Sequence, residues 1–202
     1  MKVALIGATG NVGSRVLAEL VLRGHSVTAI ARNAAKVPAS ATVTPKNCDI
    51  ADQAALSDIL SGHDAVISSV RFKDSVPKKL IDTVRSAEIR RYLVVGGAAS
   101  LMTASGIAHG DTPEFPVQFA PEAGAGRAFL DALRAQEDLE WTFLSPSAVF
   151  FAGDRTGKFR IGDDKLLVGP QGSRISFEDY AIALVDELET PKHLRKRFTV
   201  GY

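Results

Sequence analysis

The most specific chemical signal in the sequence is a glycine-rich stretch that follows an apolar run and opens an amphipathic segment. It reads Gly7-Ala8-Thr9-Gly10-Asn11-Val12-Gly13. Glycines allow a tight turn and a close approach of the backbone to a pyrophosphate, while amides at a helix N-terminus attract the anion. The strand before it and the helix after it favour a dinucleotide site over a plain structural turn.

The residues after the second apolar run, Ala31-Arg32-Asn33, bear on which dinucleotide binds. An acidic residue at this place would bind the ribose 2′-hydroxyl of NAD, whereas an arginine can hold the 2′-phosphate of NADP. Arg32, with Asn33 beside it, therefore predicts a preference for NADP(H) over NAD(H). The alternative is that Arg32 is a solvated surface side chain.

Polar and small residues at the ends of later strands extend this predicted cofactor site. The third predicted strand ends at Asn47-Cys48-Asp49-Ile50, where Asp49 could receive the adenine amino group while Ile50 packs on the ring. A role for Asp49 as N-cap of the helical segment from Asp52 is equally open. Small residues let the cofactor lie against the backbone. Those after strands four, five and six are Ser68, Ser69, Val70, Gly96, Gly97, Ala98, Pro146, Ser147 and Ala148.

Candidates for acid or base chemistry are few. Tyr92, Tyr180 and Tyr202 are the only tyrosines, and none has a lysine four positions later, so the Tyr-x-x-x-Lys pair of ordinary short-chain dehydrogenases is absent. Ser100 and His109, which follow the fifth strand, are the nearest catalytic candidates, although a loop serine and a loop histidine are ordinary residues.

The elements that must position these residues follow from alternating apolar runs and amphipathic segments. Six runs are evident: Val3 to Ile6, Val27 to Ile30, Ala65 to Ser69, Tyr92 to Val95, Thr142 to Leu144 and Phe198 to Val200. Such alternation predicts an α/β, Rossmann-type, doubly wound and mainly parallel sheet with helices on both faces. We expect one domain over residues 1–202, with a small hairpin and helix extension at the C-terminal end.

Helix boundaries and two irregular stretches complete the prediction. Gly24 is placed to end the first helix, and the last helix should begin at Ser176, with Asp179 completing a capping box, and end before Pro191. Residues 156–168 read as a hairpin about Gly162-Asp163-Asp164, and residues 146–202 should form the substrate-side wall. Residues 102–121 contain three prolines and are a candidate lid.

Composition limits the classes of partner. The 24 Lys and Arg balance 23 Asp and Glu to a net charge of +1, which gives no field to hold nucleic acid or a membrane surface. Cys48 is the single cysteine, so no disulfide and no multi-cysteine metal site is expected. No apolar run reaches about 18 residues, so no membrane span is expected. We expect a cytoplasmic monomer or homodimer that holds no metal and acts on a small-molecule acceptor.

Several longer motifs carry a resemblance to a known family. The chain reads IGATGNVGSRV from Ile6, VVGGAASL from Val94, LEWTFLSPSAVF from Leu139, DRTGKFRIG from Asp154 and ISFEDYAIALVDELE from Ile175. It resembles the atypical short-chain dehydrogenases/reductases of the NADH-flavin reductase group, near NmrA-like and biliverdin reductase B-like proteins. The resemblance implies NAD(P)H binding at the glycine turn and at Arg32, Asp49, Ser69, Gly96 and Pro146.

The resemblance also shows a departure at the substrate. In the biliverdin and flavin reductase relatives, a serine just after strand five and a histidine after the strand-six proline approach the substrate. This chain has Ala98 or Ala99 at the first place, with Ser100 close by, and Ala148 at the second. The departure weighs against biliverdin reduction more than against flavin reduction, because a dissociable flavin accepts hydride at its own nitrogen.

Three functions remain open from the sequence. The leading one is an NAD(P)H-dependent reductase that passes hydride to a flavin (FMN or FAD as dissociable substrate), a quinone or a similar flat acceptor. Phe115, Phe119, Phe150 and Phe151 would supply an apolar wall or else serve as ordinary packing. The alternative is a redox sensor that binds NADP(H) without turning it over, as in NmrA-like relatives, and the third is nucleotide-sugar epimerase chemistry.

Overall fold

A mainly parallel sheet of eight strands runs through the centre of the protein. The computed structural model describes residues 1–202. Its central strands are β1 (Lys2–Ile6), β2 (Ser26–Ala31), β3 (Val43–Asn47), β4 (Ala65–Ser68), β5 (Arg91–Val95), β6 (Glu140–Ser145), β8 (Arg160–Gly162) and β10 (Lys196–Gly201). All neighbours pair in parallel except β8 and β10. The strands lie in the order β3-β2-β1-β4-β5-β6-β10-β8. Because both faces of the sheet are covered, the inner strands β1, β4 and β5 are largely apolar and buried.

Five helices cover the two faces of the sheet. They are α1 (Asn11–Leu22), α2 (Gln53–Leu60), α3 (Pro77–Ser86), α4 (Ala120–Arg134) and α5 (Phe177–Glu189). Helices α1 and α5 pack together on one face, while α2, α3 and α4 lie on the other. Each face buries its own hydrophobic core, one including Leu20, Tyr180 and Phe198 and the other Leu56, Phe129 and Trp141. This arrangement confirms the predicted doubly wound Rossmann-type fold.

The helix boundaries agree with the predicted ends, with one correction. Gly24 has φ +79° directly after the cap of α1, where a residue without Cβ is favoured. The Ser176 hydroxyl accepts a hydrogen bond from the Asp179 amide at the start of α5, as predicted. The Asp179 carboxylate, however, does not complete a capping box. It is fully buried and accepts hydrogen bonds from the amides of Thr156 and Gly157, so it anchors an extended segment instead.

The predicted hairpin over residues 156–168 is wrong. Only β8 forms there, and its partner is β10, which it joins in antiparallel register with Thr199 opposite Gly162. Residues 163–164 do turn, but the chain that follows bridges Met102 through Lys165 rather than returning along β8. The edge of β10 was available as a partner distant in sequence, and it supplies the ladder that a local hairpin would have made.

Two further features surround the substrate side. A second, two-stranded parallel sheet joins β7 (Val149–Phe151) to β9 (Arg174–Ser176), which the sequence analysis did not predict. The candidate lid is irregular as expected, with two short 3₁₀ turns at His109–Asp111 and Val117–Phe119 before α4 begins at Ala120. None of the helices combines the length and the apolar character needed to cross a membrane.

Candidate functional site

A cleft of about 350 Å³ opens where β1, β2 and β4 end, and we call it the cofactor-side cavity. It is lined by Ile6, Gly7, Thr9, Gly10, Ile30, Ala31, Arg32, Cys48, Asp49, Ile50, Ser69, Val70, Arg71 and Asp74. These residues come from the carboxyl ends of neighbouring parallel strands, on either side of the point where the strand order reverses. In open α/β sheets this is the place where ligands bind.

The glycine turn closes the cofactor-side cavity through backbone contacts that leave no room for side chains. Gly7 has φ +83°, and both its amide and that of Ala8 donate to the carbonyl of Ile30, at 2.8 and 3.2 Å. A Cβ added at Gly7 would lie far inside contact distance of the Ser69 carbonyl, and one at Gly13 would do the same to the Gly7 carbonyl. The turn therefore locks β1, β2 and β4 together and brings the start of α1 against the sheet.

The first turn of α1 presents amides that the protein itself does not use. The first hydrogen bond of the helix runs from the Ser14 amide to the Gly10 carbonyl at 2.9 Å. The amides of Asn11, Val12 and Gly13 find no acceptor, no side chain caps the helix, and no acidic residue stands in its first turn. Free amides together with the positive end of the helix dipole suit a pyrophosphate. The predicted phosphate site therefore fits the geometry found there.

Two arginines border the cofactor-side cavity and form no ion pair within the protein. Arg32 is exposed at the end of β2, and Arg71 is exposed just after β4. Asp49 and Asp74 line the same cavity, so it offers both cationic and anionic groups. Arg32 and Asp49 could be predicted from the sequence, whereas no role was predicted for Arg71 or Asp74, since nothing local distinguishes a functional charged residue in a loop. Their proximity to β1 and β2 arises from the strand order.

A second, largely apolar cavity of about 230 Å³ lies where β5 and β6 end, and we call it the acceptor-side cavity. Four phenylalanines, Phe72, Phe115, Phe119 and Phe150, line it. The remaining lining residues are Gly96, Gly97, Ala98, Ala99, Ser100, His109, Glu122, Ala123, Gly126, Arg127, Pro146, Ser147 and Ala148. Every residue predicted after strands five and six is thus found here. Phe151, by contrast, lies outside the lining and stacks under Arg174.

Both catalytic candidates line the acceptor-side cavity. The Ser100 hydroxyl accepts a hydrogen bond from Arg197 at 3.2 Å. The His109 ring lies in the first 3₁₀ turn of the lid and packs edge-on against Phe115, with 5.3 Å between ring centroids. Burial lowers the pKa of His109 from its ordinary value of 6.5, so the ring is neutral at pH 7. The structure therefore brings a hydroxyl and a neutral imidazole to one apolar pocket.

Several predicted cofactor residues lie elsewhere or are used differently. The Ser68 side chain is buried and bonds the Tyr92 hydroxyl at 2.9 Å, because the strand alternation points it into the core. Asn33 lies outside the cavity lining. The N-cap of α2 is Asp52, whose side chain accepts a hydrogen bond from the Ala55 amide, whereas the Asp49 side chain accepts one only from the Ala51 amide. The alternative cap role for Asp49 is therefore wrong.

No tyrosine hydroxyl reaches either cavity. Tyr180 is fully buried, donates to the Leu144 carbonyl at 2.6 Å and accepts from the Gly96 amide at 3.2 Å. Burial holds the pKa of Tyr92 and Tyr180 well above the ordinary tyrosine value. The Tyr202 hydroxyl lies by the start of α5, where it bonds Ser176 and Asp179. The tyrosines are therefore structural, in line with the missing Tyr-x-x-x-Lys pair.

The segment from Ser69 to Asp74 forms a wall between the two cavities. Ser69, Val70, Arg71 and Asp74 face the cofactor side, and Phe72 faces the acceptor side. Glu122, in the first turn of α4, fixes this wall by accepting hydrogen bonds from the amides of Phe72 at 2.7 Å and Lys73 at 3.1 Å. An extended dinucleotide lying across the edge of the sheet would pass from one cavity to the other beside this wall.

Comparisons with known proteins identify the family of the chain. A model of the NAD(P)H-binding family matches residues 7–191. The uncharacterized protein YwnB of Bacillus subtilis (strain 168) is 40% identical over 211 aligned positions, which cover 99% of this chain and 98% of that protein.

Solved structures extend the likeness to three dimensions. A "putative epimerase" from Bacteroides thetaiotaomicron is 39% identical with a TM-score of 0.95, over 100% of this chain and 96% of its own. A "putative NADH-flavin reductase" from Streptococcus pneumoniae TIGR4 is 37% identical with a TM-score of 0.85, over 100% and 99% of the two chains. With the family model spanning most of its length and the glycine turn in place, the chain belongs to the NAD(P)H-binding family of Rossmann-type proteins.

Proposed function

We propose that this protein is an NADPH-dependent reductase that transfers hydride to a flat, conjugated acceptor such as a flavin or a quinone. The observation that carries the proposal is the pair of adjoining cavities. One has the glycine turn, free amides and unpaired arginines that suit a dinucleotide, and the other has an apolar wall of four phenylalanines. Their common wall would place the nicotinamide end of the cofactor at the mouth of the acceptor-side cavity.

The preference for NADPH rests on charge. A 2′-phosphate adds negative charge beside the adenine ribose, and Arg32 and Arg71 are the cations that line this part of the site. A guanidinium holds phosphate through charge-assisted and often bidentate hydrogen bonds. Neither arginine has a competing carboxylate partner, so neither must break an ion pair to bind the phosphate. The adenine amino group would lie toward Asp49 and Ile50.

The choice of acceptor rests on what the acceptor-side cavity offers. Phenylalanine side chains bind flat rings by stacking and edge contacts, and they supply no proton. With every tyrosine hydroxyl engaged elsewhere, the site favours an acceptor that takes hydride directly into its own conjugated ring and draws its proton from solvent. Orientation and a short donor distance then supply most of the rate enhancement. Epimerase chemistry fits less well, since no tyrosine hydroxyl reaches the cavity to act as acid or base at a sugar carbon.

The test is a titration followed by turnover in the same sample. Purified protein is titrated with NADPH and with NADH while the nicotinamide fluorescence is followed, and FMN or a benzoquinone is then added while nicotinamide absorbance is recorded. We expect tighter binding of NADPH and steady oxidation after the acceptor is added. Absence of binding by either nucleotide would contradict the cofactor site, and binding without oxidation would contradict the reductase.

A second candidate, an NADP(H)-binding redox sensor, is favoured by one observation on the lid. Val117 and Phe119 are 83% and 56% exposed beside the acceptor-side cavity, where a partner protein could cover them. The same experiment separates the two functions, because a sensor would bind NADPH tightly and leave it reduced with every acceptor. We expect a monomer or a homodimer, and sedimentation measurements would distinguish the two.

A further inference from the structure

Two serines of the acceptor-side cavity use their hydroxyl groups in opposite ways. The Ser147 hydroxyl donates to the Val200 carbonyl at 3.0 Å, so its proton is already engaged. The Ser100 oxygen instead accepts from Nη1 of Arg197 at 3.2 Å, and no group of the protein accepts the Ser100 proton. A hydroxyl that has accepted one hydrogen bond still has its own proton to donate. Ser100 therefore offers a free donor to an occupant of the cavity.

Arg197 is held so that one nitrogen is left for Ser100. Its side chain is only 3% exposed. The Nε donates to Oδ1 of Asp164 at 2.6 Å, and Nη2 contacts the same carboxylate. Asp164 is itself fixed, because its carbonyl accepts from the Met102 amide at 2.8 Å. With two nitrogens on Asp164, the guanidinium cannot rotate, and Nη1 stays on Ser100.

The contact between Arg197 and Ser100 depends on the fold, because its residues come from distant parts of the chain. Arg197 lies in β10, Asp164 follows β8, and Ser100 lies in the loop after β5. The antiparallel pairing of β8 with β10 brings Asp164 to Arg197. The Met102 bridge to Lys165 then draws the end of the β5 loop toward the same place. Three separate elements thus meet at one hydroxyl of the cavity.

We propose that Arg197 is a positioning residue that directs the Ser100 hydroxyl into the acceptor-side cavity, where Ser100 donates a hydrogen bond to the acceptor oxygen that becomes negative during reduction. The inference rests on the proposed reductase function and assigns the acceptor a carbonyl oxygen, as in a quinone or an isoalloxazine ring. The hydrogen bond that Ser100 accepts from Nη1 polarises its own O–H group, so the bond that Ser100 donates is strengthened.

The electron and proton balance is simple. NADPH gives up a hydride and becomes NADP⁺, and the acceptor gains two electrons and one hydrogen, at a ring nitrogen of a flavin or at one oxygen of a quinone. The one proton that completes the reduced acceptor comes from solvent, and Ser100 keeps its own proton throughout. Ser100 therefore stabilises the developing oxyanion, as the donors of an oxyanion hole do.

The first test compares Ser100→Ala with Ser100→Thr in steady-state oxidation of NADPH by a benzoquinone. We expect Ser100→Ala to lower kcat on the order of tenfold to a hundredfold, with the KM for quinone changed much less, because the bond forms mainly as charge develops. Ser100→Thr keeps a hydroxyl and should retain most of the activity. Ser105→Ala, at an exposed lid serine outside the cavity, serves as the control.

The second test addresses Arg197 itself. Arg197→Lys keeps a cation near Ser100 and should retain more of kcat than Arg197→Gln, and Arg197→Gln should have little further effect in a Ser100→Ala background. Asp164→Asn weakens the ion pair that holds the same arginine, and the side chain is 64% exposed. This variant tests the positioning role of Arg197 if Arg197→Gln does not fold. If the role of Arg197 were purely structural, all these variants would have a lower thermal midpoint, and kcat would not differ between Arg197→Lys and Arg197→Gln.

The outcomes separate this inference from the proposed function. Absence of quinone reduction by the wild-type protein would overturn both. Wild-type turnover that is unchanged by Ser100→Ala would overturn only the role of Ser100 and Arg197, and it would leave the reductase intact. If Ser100→Ala lowers kcat and Arg197→Gln lowers it further by its full single-variant factor in the Ser100→Ala background, only the role of Arg197 is overturned.

Discussion

The two cavities are built by different means. The cofactor-side cavity depends on backbone, with a glycine turn, free amides and strand ends, and its core comes from the consecutive elements β1, α1 and β2. The acceptor-side cavity depends on side chains from five separate stretches of the chain, which include the lid and α4. A backbone site recognises what every dinucleotide shares, whereas a side-chain site can change its ligand through substitution.

The glycines show the difference in physical terms. At Gly7 and Gly13 an added Cβ would collide with backbone carbonyls, which cannot move without shifting a strand. At Gly126, on α4 beside the acceptor-side cavity, the nearest atom to an added Cβ is a ring carbon of Phe72 at 3.0 Å. A ring can turn, so a side chain at Gly126 is tolerated better than one at Gly7 or Gly13.

The largest effect should follow from Gly7→Ala. The positive φ costs about 1–3 kcal/mol for a residue with Cβ, and the collision with the Ser69 carbonyl adds to it by pushing β4 away from β1. We expect a clear fall in the thermal midpoint and a loss of NADPH affinity on the order of a hundredfold. Calorimetry and a fluorescence titration check these values.

The matched control for Gly7→Ala is Gly124→Ala on α4, where an added Cβ meets nothing within 4 Å. Alanine in a helix is favoured over glycine by about 1 kcal/mol, so this variant should be unchanged or slightly more stable. Equal losses in both variants would show that the glycine turn has no special role.

Arg32→Ala sharpens the comparison on the cofactor side. Loss of one charge-assisted hydrogen bond should weaken NADPH binding by about 1.5–3 kcal/mol and leave NADH nearly unchanged. Binding constants for both nucleotides check this, with Arg134→Ala as a control at an arginine that is 51% exposed on α4. Equal weakening of both nucleotides would remove Arg32 from the 2′-phosphate.

Glu122→Gln tests the wall between the cavities. The amide side chain has one acceptor oxygen instead of two, so the bond to the amide of Phe72 or of Lys73 is lost, at a cost of about 1 kcal/mol. Because Phe72 faces the acceptor, we expect the KM for quinone to rise severalfold while NADPH affinity changes less. Glu137→Gln, at an exposed side chain, is the control. A larger change in NADPH affinity than in the quinone KM would contradict this division.

The smallest effect concerns pH. Burial lowers the pKa of His109 in the folded protein below its ordinary 6.5, so the unfolded chain binds a proton first as pH falls. The folded state should therefore lose stability as pH drops below 6.5, toward the folded pKa. Burial lowers the pKa of His63 in the same way, so His63 contributes a loss of stability of the same sign. The difference between the urea midpoints of wild type and His109→Gln should therefore change between pH 7.5 and 5.5, because only the wild type carries the loss that His109 causes. A difference that stays constant over that range would show that His109 contributes nothing.

Sequence reasoning reached the cofactor side more fully than the acceptor side, and the reason is physical. The glycine turn, Arg32 and the capping serine of α5 are local signals, where neighbours in sequence determine the conformation. The strand ends could be ordered because parallel βαβ units follow one hand. Even here Ser68 was placed wrongly, because one step along a strand turns a side chain from the cavity to the core.

The missed features all depend on partners distant in sequence. The β8 segment resembled half of a hairpin, yet it pairs with β10 instead. Asp179 matched a capping box but holds Thr156 and Gly157. No local pattern marks Glu122 as the support of Phe72, or Arg197 as the partner of Ser100. Such contacts appear only when the sheet order and the lid are known.

The place of β10 in the sheet has a consequence for how the protein is made. β10 lies between β6 and β8 and carries Arg197 to the acceptor side. Until the ribosome has synthesised it, β6 pairs only with β5, and its other edge, with the apolar Phe143 and Leu144, stays open. Open apolar edges pair wrongly with other chains. The dinucleotide half can thus fold during translation, whereas the reactive half waits for the last strand. We expect nascent chains halted before β10 to bind chaperones strongly.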